Sequence, residues 1–169
     1  MSLSFPAPEV GGDVQKMERP PYLWGVAAAL SAFLLYALTL APTTAFWDAS
    51  EYIATAHTLG IPHPPGNPFF IVLAKVWSLL LAPTGFSVAV RINLFAAATS
   101  AAATVFFYLV AHRVLCGIFL DRRLARVAAL ASSLIGATSF TVWNQSNVNE
   151  KVYTLSAVSY THLTLPTKA

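Results

Sequence analysis

The sequence predicts an all-α fold, a polytopic bundle of transmembrane helices with interfacial juxtamembrane helices beside it. Two observations lead to this prediction. Charged residues make up only 10% of the chain, whereas a soluble domain usually carries about 25%. Several apolar runs also approach the roughly 20 residues that a helix needs to cross the hydrocarbon core. The main partner of the surface is therefore expected to be membrane lipid.

The formal net charge of +3 does not indicate a nucleic-acid partner, because the basic residues lie between apolar runs. Basic segments in such places report the orientation of a membrane protein instead. The single cysteine, Cys116, excludes an internal disulfide and gives no metal cluster.

Three apolar runs are predicted to cross the membrane, at residues 22–40, 87–111 and 124–143, and a fourth begins near Val152. The polar segment 1–21 precedes the first run and contains several prolines and glycines. It is predicted to be a disordered cytoplasmic tail. A cleaved signal peptide is the alternative, but its apolar region would be only about 7–15 residues long.

The positions of the arginines predict which apolar runs cross the membrane. Four of them are predicted to share one short loop, namely Arg113, Arg122, Arg123 and Arg126. The positive-inside rule places this loop in the cytoplasm, together with Lys16 and Arg19. Two crossings must then separate the loop from the N-terminus. The run 67–82 is short, contains Lys75 and is bracketed by prolines. It is therefore predicted to lie at the outer interface or to be re-entrant.

The run 96–103 consists almost entirely of small residues, which let transmembrane helices approach closely. Three polar residues of the predicted span 87–111 are candidates for hydrogen bonds between helices: Asn93, Ser100 and Thr104. The apolar pattern breaks off near the end, and residues 159–169 are predicted to be non-native. Residues 22–158 then form the N-terminal part of a longer transmembrane domain.

The first outer loop contains the residues best suited to chemistry. Asp48 and Glu51 are three apart, which places both carboxylates on one face of a helix. This helix is expected to end at Gly60, a typical C-cap, before the stiff turn that begins at His63. A carboxylate here can accept a proton from an acceptor hydroxyl, or a pair can hold a divalent cation against a phosphate.

Structural alternatives exist for each of these residues. Asp48 and Glu51 have the spacing of a capping box at a helix start. His63 can serve simply as a turn residue, and His57 is interpreted as structural. In the second outer loop Glu150 is adjacent to Lys151, so a local ion pair is the alternative to a functional role.

The first outer loop resembles a known family. Trp47-Asp48, Glu51 and the His-Pro-Pro-Gly sequence 63–66 are similar to a motif of bacterial membrane proteins. These proteins are related to the animal endoplasmic-reticulum protein O-mannosyltransferase of plexin-type receptors, within the GT-C glycosyltransferase superfamily. A later Glu and Tyr element of the family is matched loosely by Glu150 and Tyr153. The resemblance covers roughly residues 22–158, although such enzymes have many more spans.

The resemblance implies a glycosyltransferase with a polyprenyl-phosphate-linked sugar as donor and a protein or glycan hydroxyl as acceptor. It implies that Asp48 is the principal catalytic carboxylate and that Glu51 assists it. His63 would shape the donor phosphate site, and Glu150 would also contribute to substrate binding. A divalent cation is a candidate cofactor. The location implied is the bacterial inner membrane, with transfer on the extracytoplasmic face.

Two other classes of function compete with this interpretation. In a transporter or lipid flippase, polar residues within the spans would mark a substrate path, but the predicted spans contain almost no ionisable residues. A non-catalytic membrane subunit is the third reading. It predicts that replacement of Asp48 has no effect on activity.

Overall fold

The structure is a computed structural model that describes residues 20–44, 48–64 and 67–147. Within these ranges all regular elements are helical, which confirms the predicted all-α class. A short 3₁₀ turn (Ala82–Thr84) separates the third helix from the fourth. The helices in chain order are α1 (Tyr22–Leu38), α2 (Ala49–Thr58), α3 (Pro68–Leu80), α4 (Val88–Ile118), α5 (Arg122–Thr138) and α6 (Phe140–Asn147).

The helices differ in whether they are long enough to cross a bilayer. Among the described residues, α4 is the one helix that is long and apolar enough by itself, with 31 residues. Helices α5 and α6 reach this length only as a pair, and they meet at a bend of 62°. Helices α1 and α3 are apolar but shorter, with 17 and 13 residues. A polytopic bundle therefore stays a prediction.

The bend between α5 and α6 lies at Ser139. This residue adopts an extended backbone conformation, with φ −58° and ψ 141°, so the helical hydrogen-bond ladder cannot continue through it. Its N–H and its hydroxyl both donate to the carbonyl of Gly136, at 3.2 and 2.8 Å. Serine competes with the backbone ladder in this way. The run 124–143, predicted to cross the membrane, is therefore divided between two helices, and its crossing stays a prediction.

The four arginines do not share a loop, contrary to the prediction. Helix α4 extends to Ile118 and so includes Arg113, while α5 begins at Arg122 and includes the other three. The connection is only residues 119–121. Its last residue, Asp121, caps α5 by accepting a hydrogen bond from the N–H of Arg123 at 2.7 Å. The four arginines still lie at one end of the bundle, called the arginine end below.

Small residues allow α1, α4 and α5 to pack closely. A Cβ added to Gly25 of α1 would lie 3.2 Å from Tyr108 and 3.3 Å from Val105 of α4. Buried alanines occur on all three helices, at positions 28, 29 and 32, at 96, 97 and 101, and at 125 and 129. The tight packing predicted for the run 96–103 is thus present. Thr104, in contrast, donates to Ser100 of its own helix at 3.0 Å.

An apolar cluster joins α2 and α3 to the beginning of α4. Its buried members include Tyr52 and Ile53 of α2, Phe70 of α3, and Ile92 and Phe95 of α4. The ring of Phe70 contacts the rings of Tyr52 and Phe95 with centroid separations of 5.7 Å in both cases. This cluster fixes the orientation of α2, the helix that carries the candidate catalytic residues.

Several predictions fall on residues outside the described ranges. They concern the N-terminal tail up to residue 19, the part of the second outer loop from residue 148 onwards with Glu150, the span that begins at Val152, and the segment 159–169. These remain predictions. Residues 144–147, predicted to begin the second outer loop, belong to α6 instead.

Candidate active site

Asp48 stands at the N-cap position of α2 but does not cap the helix. Its side chain makes no capping hydrogen bond. Its backbone carbonyl accepts the first helical bond, from the N–H of Tyr52 at 3.0 Å. In a capping box the carboxylate of Glu51 would bond the N–H of the N-cap residue, but here that carboxylate is bonded to His63. The capping-box alternative is therefore not what the structure contains.

Glu51 holds His63 through both of its carboxylate oxygens. Oε1 accepts the backbone N–H of His63 at 2.7 Å. Oε2 lies 2.7 Å from the ring Nδ1 of the same residue. One side chain thus fixes both the backbone and the ring of a residue 12 positions further along the chain. The turn that begins at His63 is consequently joined to the first turn of α2.

Asp48, Glu51 and His63 form one cluster, which we call the acidic end. Oδ2 of Asp48 lies 3.8 Å from Nε2 of His63. One ligand atom from each of Asp48, Glu51 and His63 can be chosen so that all lie within 4.8 Å of one another. The side chains are 31%, 39% and 45% exposed. A soluble or interfacial substrate can therefore reach all three.

The electrostatics of the acidic end favour a charged Glu51. The hydrogen bond from the His63 side chain, followed by the bond from the His63 backbone N–H, lowers the pKa of Glu51 below its ordinary 4.5. Hydrogen bonds to the ionised form have this effect. At neutral pH Glu51 is thus a carboxylate, and a carboxylate accepts hydrogen bonds but donates none.

The turn after α2 differs in detail from the prediction. The left-handed C-cap residue is Leu59, with φ 58°, and not Gly60. Gly60 follows, and its N–H donates to the carbonyl of Thr55 at 2.9 Å. The helix accordingly ends at Thr58, and the chain then turns back towards Glu51. A leucine in this conformation is uncommon, which explains why the glycine was the stronger signal in the sequence.

Tyr52 and Asn67, which the sequence analysis did not identify, support the acidic end. Tyr52 is buried, and its ring meets His63 edge-on at 6.0 Å. Its hydroxyl accepts a hydrogen bond from the side-chain amide of Asn67 at 2.7 Å. The tyrosine thus links His63 to the beginning of α3. An aromatic residue next to Glu51 on a predicted interfacial helix gives no sequence signal for this role.

Asn93 ties the loop after α1 to α4. It is fully buried, and its amide donates to the carbonyls of Ala41 and Thr43 at 3.0 and 3.2 Å. The sequence predicted hydrogen bonds from Asn93 to another helix, but these two bonds go to the loop after α1 instead. The apolar cluster shared by α2, α3 and the beginning of α4 places the acidic end near these bonds.

The remaining candidates stand apart from this cluster. His57 is exposed, and its backbone carbonyl accepts a hydrogen bond from the ammonium group of Lys75. This agrees with its interpretation as structural. Trp47, Pro65 and Gly66 of the predicted motif lie outside the described ranges, as does Glu150. The structure therefore brings together three of the four predicted site residues. These three offer two carboxylates and one imidazole, a set that can bind a divalent cation.

The described part of the chain is thus a helical assembly around one apolar helix of membrane-spanning length, with a carboxylate–histidine site beside the beginning of that helix. The chain belongs to the family described as the protein O-mannosyl-transferase TMEM260 N-terminal domain, whose model matches residues 48–165. The match includes Asp48, Glu51 and His63. It confirms the family of O-mannosyltransferases predicted from the motif.

Two curated relatives show the same similarity. The chain is 32% identical over 83 residues to the protein O-mannosyl-transferase tmem260 of Dictyostelium discoideum, which is 49% of this chain and 10% of that protein. It is 42% identical over 86 residues to the protein O-mannosyl-transferase TMEM260 of Mus musculus, which is 50% of this chain and 12% of that protein. The aligned part thus spans about a tenth of each relative. No solved structure matches the chain.

Proposed function

We propose that this chain forms the N-terminal part of a membrane glycosyltransferase of the GT-C type. It transfers a sugar from a polyprenyl-phosphate donor to an acceptor hydroxyl on the extracytoplasmic face of a bacterial inner membrane. The names of the two relatives favour mannose as the sugar and a protein as the acceptor. The observation that carries the proposal is the convergence of Asp48, Glu51 and His63 at one exposed place.

The reaction needs a base, and Asp48 is the group available for this role. The acceptor hydroxyl donates its proton to the Asp48 carboxylate while its oxygen attacks the anomeric carbon of the sugar. The bond from that carbon to the phosphate oxygen breaks, and the polyprenyl phosphate leaves with the electron pair. Attack opposite the leaving group inverts the anomeric carbon. A positioned base of this kind contributes about 10²–10⁴-fold to the rate.

The same three side chains also fit a divalent cation, the second role considered for the carboxylates. A cation there would neutralise the donor phosphate and would use Asp48 as a ligand instead of a base. The two roles differ in their response to a chelator. Transfer that survives chelation favours the base, and transfer that is lost and then restored by added Mg²⁺ or Mn²⁺ favours the cation.

The distance between the two ends of the bundle supports a crossing between them. Asn93, beside the acidic end, and Arg113, at the arginine end, are both on α4 and are 20 residues apart (113 − 93). At 1.5 Å per residue this is about 30 Å, the thickness of the hydrocarbon core. With the arginines in the cytoplasm, Asp48, Glu51 and His63 face outside.

Helix α3 fits the outer interface in this arrangement. Its 13 residues span only about 20 Å, too short for a crossing. One face packs on α2 and α4, while the opposite face exposes apolar side chains at positions 69, 72, 76, 79 and 80. Lys75 and Trp77 flank the exposed stripe. Lysine and tryptophan at the borders of an apolar stripe are typical of interfacial helices.

The test is transfer of mannose from polyprenyl-phosphate mannose to a protein acceptor in membranes that contain the full-length protein. We expect Asp48→Asn to lower the rate about 10²–10⁴-fold at matched expression. Asp121→Asn is the matched control, because Asp121 caps α5 and asparagine caps about as well as aspartate. Near-normal transfer by Asp48→Asn would remove Asp48 from the reaction. Lack of transfer by the wild-type protein would overturn the proposed function itself.

A further inference from the structure

We propose that Glu51 is a positioning residue that acts through His63, and that His63 Nε2 together with Asp48 meets the substrate. The proposal rests on the proposed function, since it assigns separate roles within the same site. It changes the expectation for Glu51, which the family resemblance describes as an assistant to the catalytic carboxylate. It also gives His63 a defined atom with which to act.

Glu51 determines which ring nitrogen of His63 carries the hydrogen. The carboxylate of Glu51 can only accept hydrogen bonds, and its Oε2 lies 2.7 Å from Nδ1. Nδ1 must therefore carry the hydrogen. In the neutral ring the other nitrogen, Nε2, is then an acceptor, and it becomes a donor only when the ring is cationic. Glu51 thus selects the tautomer of His63.

Glu51 and Tyr52 together hold the ring of His63 in place. The other oxygen of Glu51 accepts the backbone N–H of His63, also at 2.7 Å. Hydrogen bonds to an ionised acceptor are short and stronger than neutral ones. The edge of Tyr52 packs against the ring at 6.0 Å and at an angle of 74°. Ring, backbone and tautomer are fixed together, and both oxygens of Glu51 are already engaged in doing so.

Nε2 of His63 is the ring nitrogen that stays available to a substrate. Nε2 lies 3.8 Å from Oδ2 of Asp48, and the His63 side chain is 45% exposed. An acceptor hydroxyl that reaches Asp48 is therefore close enough to donate to Nε2 of the neutral ring, and a phosphate oxygen can accept from Nε2 when the ring is cationic. These two atoms can contact the substrate directly, whereas Glu51 is occupied with His63.

A double-mutant cycle in the transfer assay tests this division of roles. Gln has one acceptor oxygen instead of two, so Glu51→Gln keeps at most one of the two bonds to His63. We expect it to lower the rate about 10–100-fold, by analogy with outer-shell partners of metal-bound histidines. The central expectation is that Glu51→Gln causes no further loss of transfer rate when His63 is already replaced by Ala. Independent, multiplying losses would show that Glu51 acts on the substrate by itself and would overturn the proposal.

Chemical rescue supplies a readout that a merely structural role would not change. Added imidazole should restore part of the transfer rate of His63→Ala when Glu51 is present to orient it, and not when Glu51 is replaced by Gln. Equal rescue in both backgrounds contradicts the proposal. His57→Ala is the control, because His57 is an exposed histidine on the same helix whose structural contact is made by its backbone carbonyl. We expect it to transfer normally and to ignore imidazole.

A spectroscopic measurement decides the question independently of transfer. Nitrogen-15 spectra of histidine-labelled full-length protein in bilayers, with His63 assigned by difference from His63→Ala, report the tautomer. We expect the neutral ring of His63 to carry its hydrogen on Nδ1, and Glu51→Asp or Glu51→Gln to abolish this preference. A neutral ring with its hydrogen on Nε2 in the wild-type protein would overturn the proposal. A wild-type protein without transfer activity overturns the proposed function only.

Discussion

Asp48 and Asp121 occupy the same position in the two helices that they begin, yet they behave differently. The carboxylate of Asp121 caps α5 by accepting the N–H of Arg123 at 2.7 Å. The carboxylate of Asp48 makes no capping bond to α2 and instead lies 3.8 Å from the ring of His63. A capping aspartate usually stabilises its helix by about 1 kcal/mol, and the Asp48 side chain does not contribute to α2 in this way. The comparison separates a capping aspartate from one whose carboxylate lies beside the ring of a histidine.

The surroundings of the two aspartates also differ. At the acidic end the polar groups are joined to one another, since Glu51 bonds His63 and Asn67 bonds Tyr52. At the arginine end Arg113, Arg122 and Arg123 are exposed, as expected for side chains that face water or lipid headgroups. The proposed function assigns contact with the substrate to the acidic end and orientation in the membrane to the arginine end.

The largest effect on stability is expected from the tether at the acidic end. Asn93→Leu leaves two carbonyl groups, those of Ala41 and Thr43, without their donor. Each of these hydrogen bonds contributes about 0.5–1.5 kcal/mol net, so thermal unfolding in micelles should occur at lower temperature. Thr104→Val is the control, because the Thr104 hydroxyl bonds only its own helix among the contacts found. Equal losses for the two variants would show that the tether contributes nothing particular.

The next effect on stability compares the capping contributions of positions 121 and 48. At position 121 the stability of the Asn variant should exceed that of the Ala variant by about 1 kcal/mol, because Asn can cap and Ala cannot. At position 48 the Asn and Ala variants should be nearly equal in stability, since no capping bond is present there. Equilibrium unfolding of the four variants measures both differences. A difference at position 48 as large as that at position 121 would return Asp48 to a capping role.

A smaller effect is expected from two glycines. A Cβ at Gly25 would lie 3.2 Å from the buried ring of Tyr108, and such overpacking outweighs the better helix propensity of Ala. Gly25→Ala should therefore lower stability by less than about 1 kcal/mol net. Gly117, at the arginine end of α4, has open space around it, so Gly117→Ala should raise stability by about 0.5–1 kcal/mol. Matching signs for the two would mean that α1 and α4 are not in close contact.

The smallest effect is one of pH. The pKa of Glu51 is lowered below its ordinary 4.5 by the bonds from His63. Its stabilising contact with His63 is therefore complete above pH 4.5 and is lost as the pH falls through the lower, folded-state pKa.

Amide hydrogen exchange can measure this pH dependence. The amide of His63, which bonds the Glu51 carboxylate, should lose protection in acid. The amide of Gly60, which bonds the carbonyl of Thr55, should keep its protection. Parallel loss of protection at both amides would assign the change to the whole turn and not to Glu51.

The sequence was sufficient for the class of fold and for the members of the cluster. Apolar runs predict helices because every backbone polar group in lipid must be satisfied within its own segment. Asp48 and Glu51 could be paired because they share a helix face, and His63 because it lies in the motif that the family resemblance identified. The family itself was recognised from these same residues.

The sequence was not sufficient for the geometry of long-range contacts. The bonds of Glu51 to His63 and of Asn93 to the loop after α1 join residues 12 and about 50 positions apart, and no local pattern encodes them. The break at Ser139 depends on a local competition between a hydroxyl and the backbone ladder. The cap at Leu59 violates the usual preference for glycine in a left-handed conformation, so it could not be read from residue type.

The central claim is that the two ends lie on opposite sides of the membrane, with the acidic end outside. The most direct measurement is cysteine labelling of the full-length protein in sealed cells with a membrane-impermeant maleimide. His57→Cys in a Cys116→Ala background reports the acidic end, and the native Cys116 reports the arginine end, with any cysteines elsewhere in the full-length chain replaced. We predict that position 57 reacts in intact cells and that Cys116 reacts only after the membrane is opened. Reaction of position 57 only after opening would contradict the account.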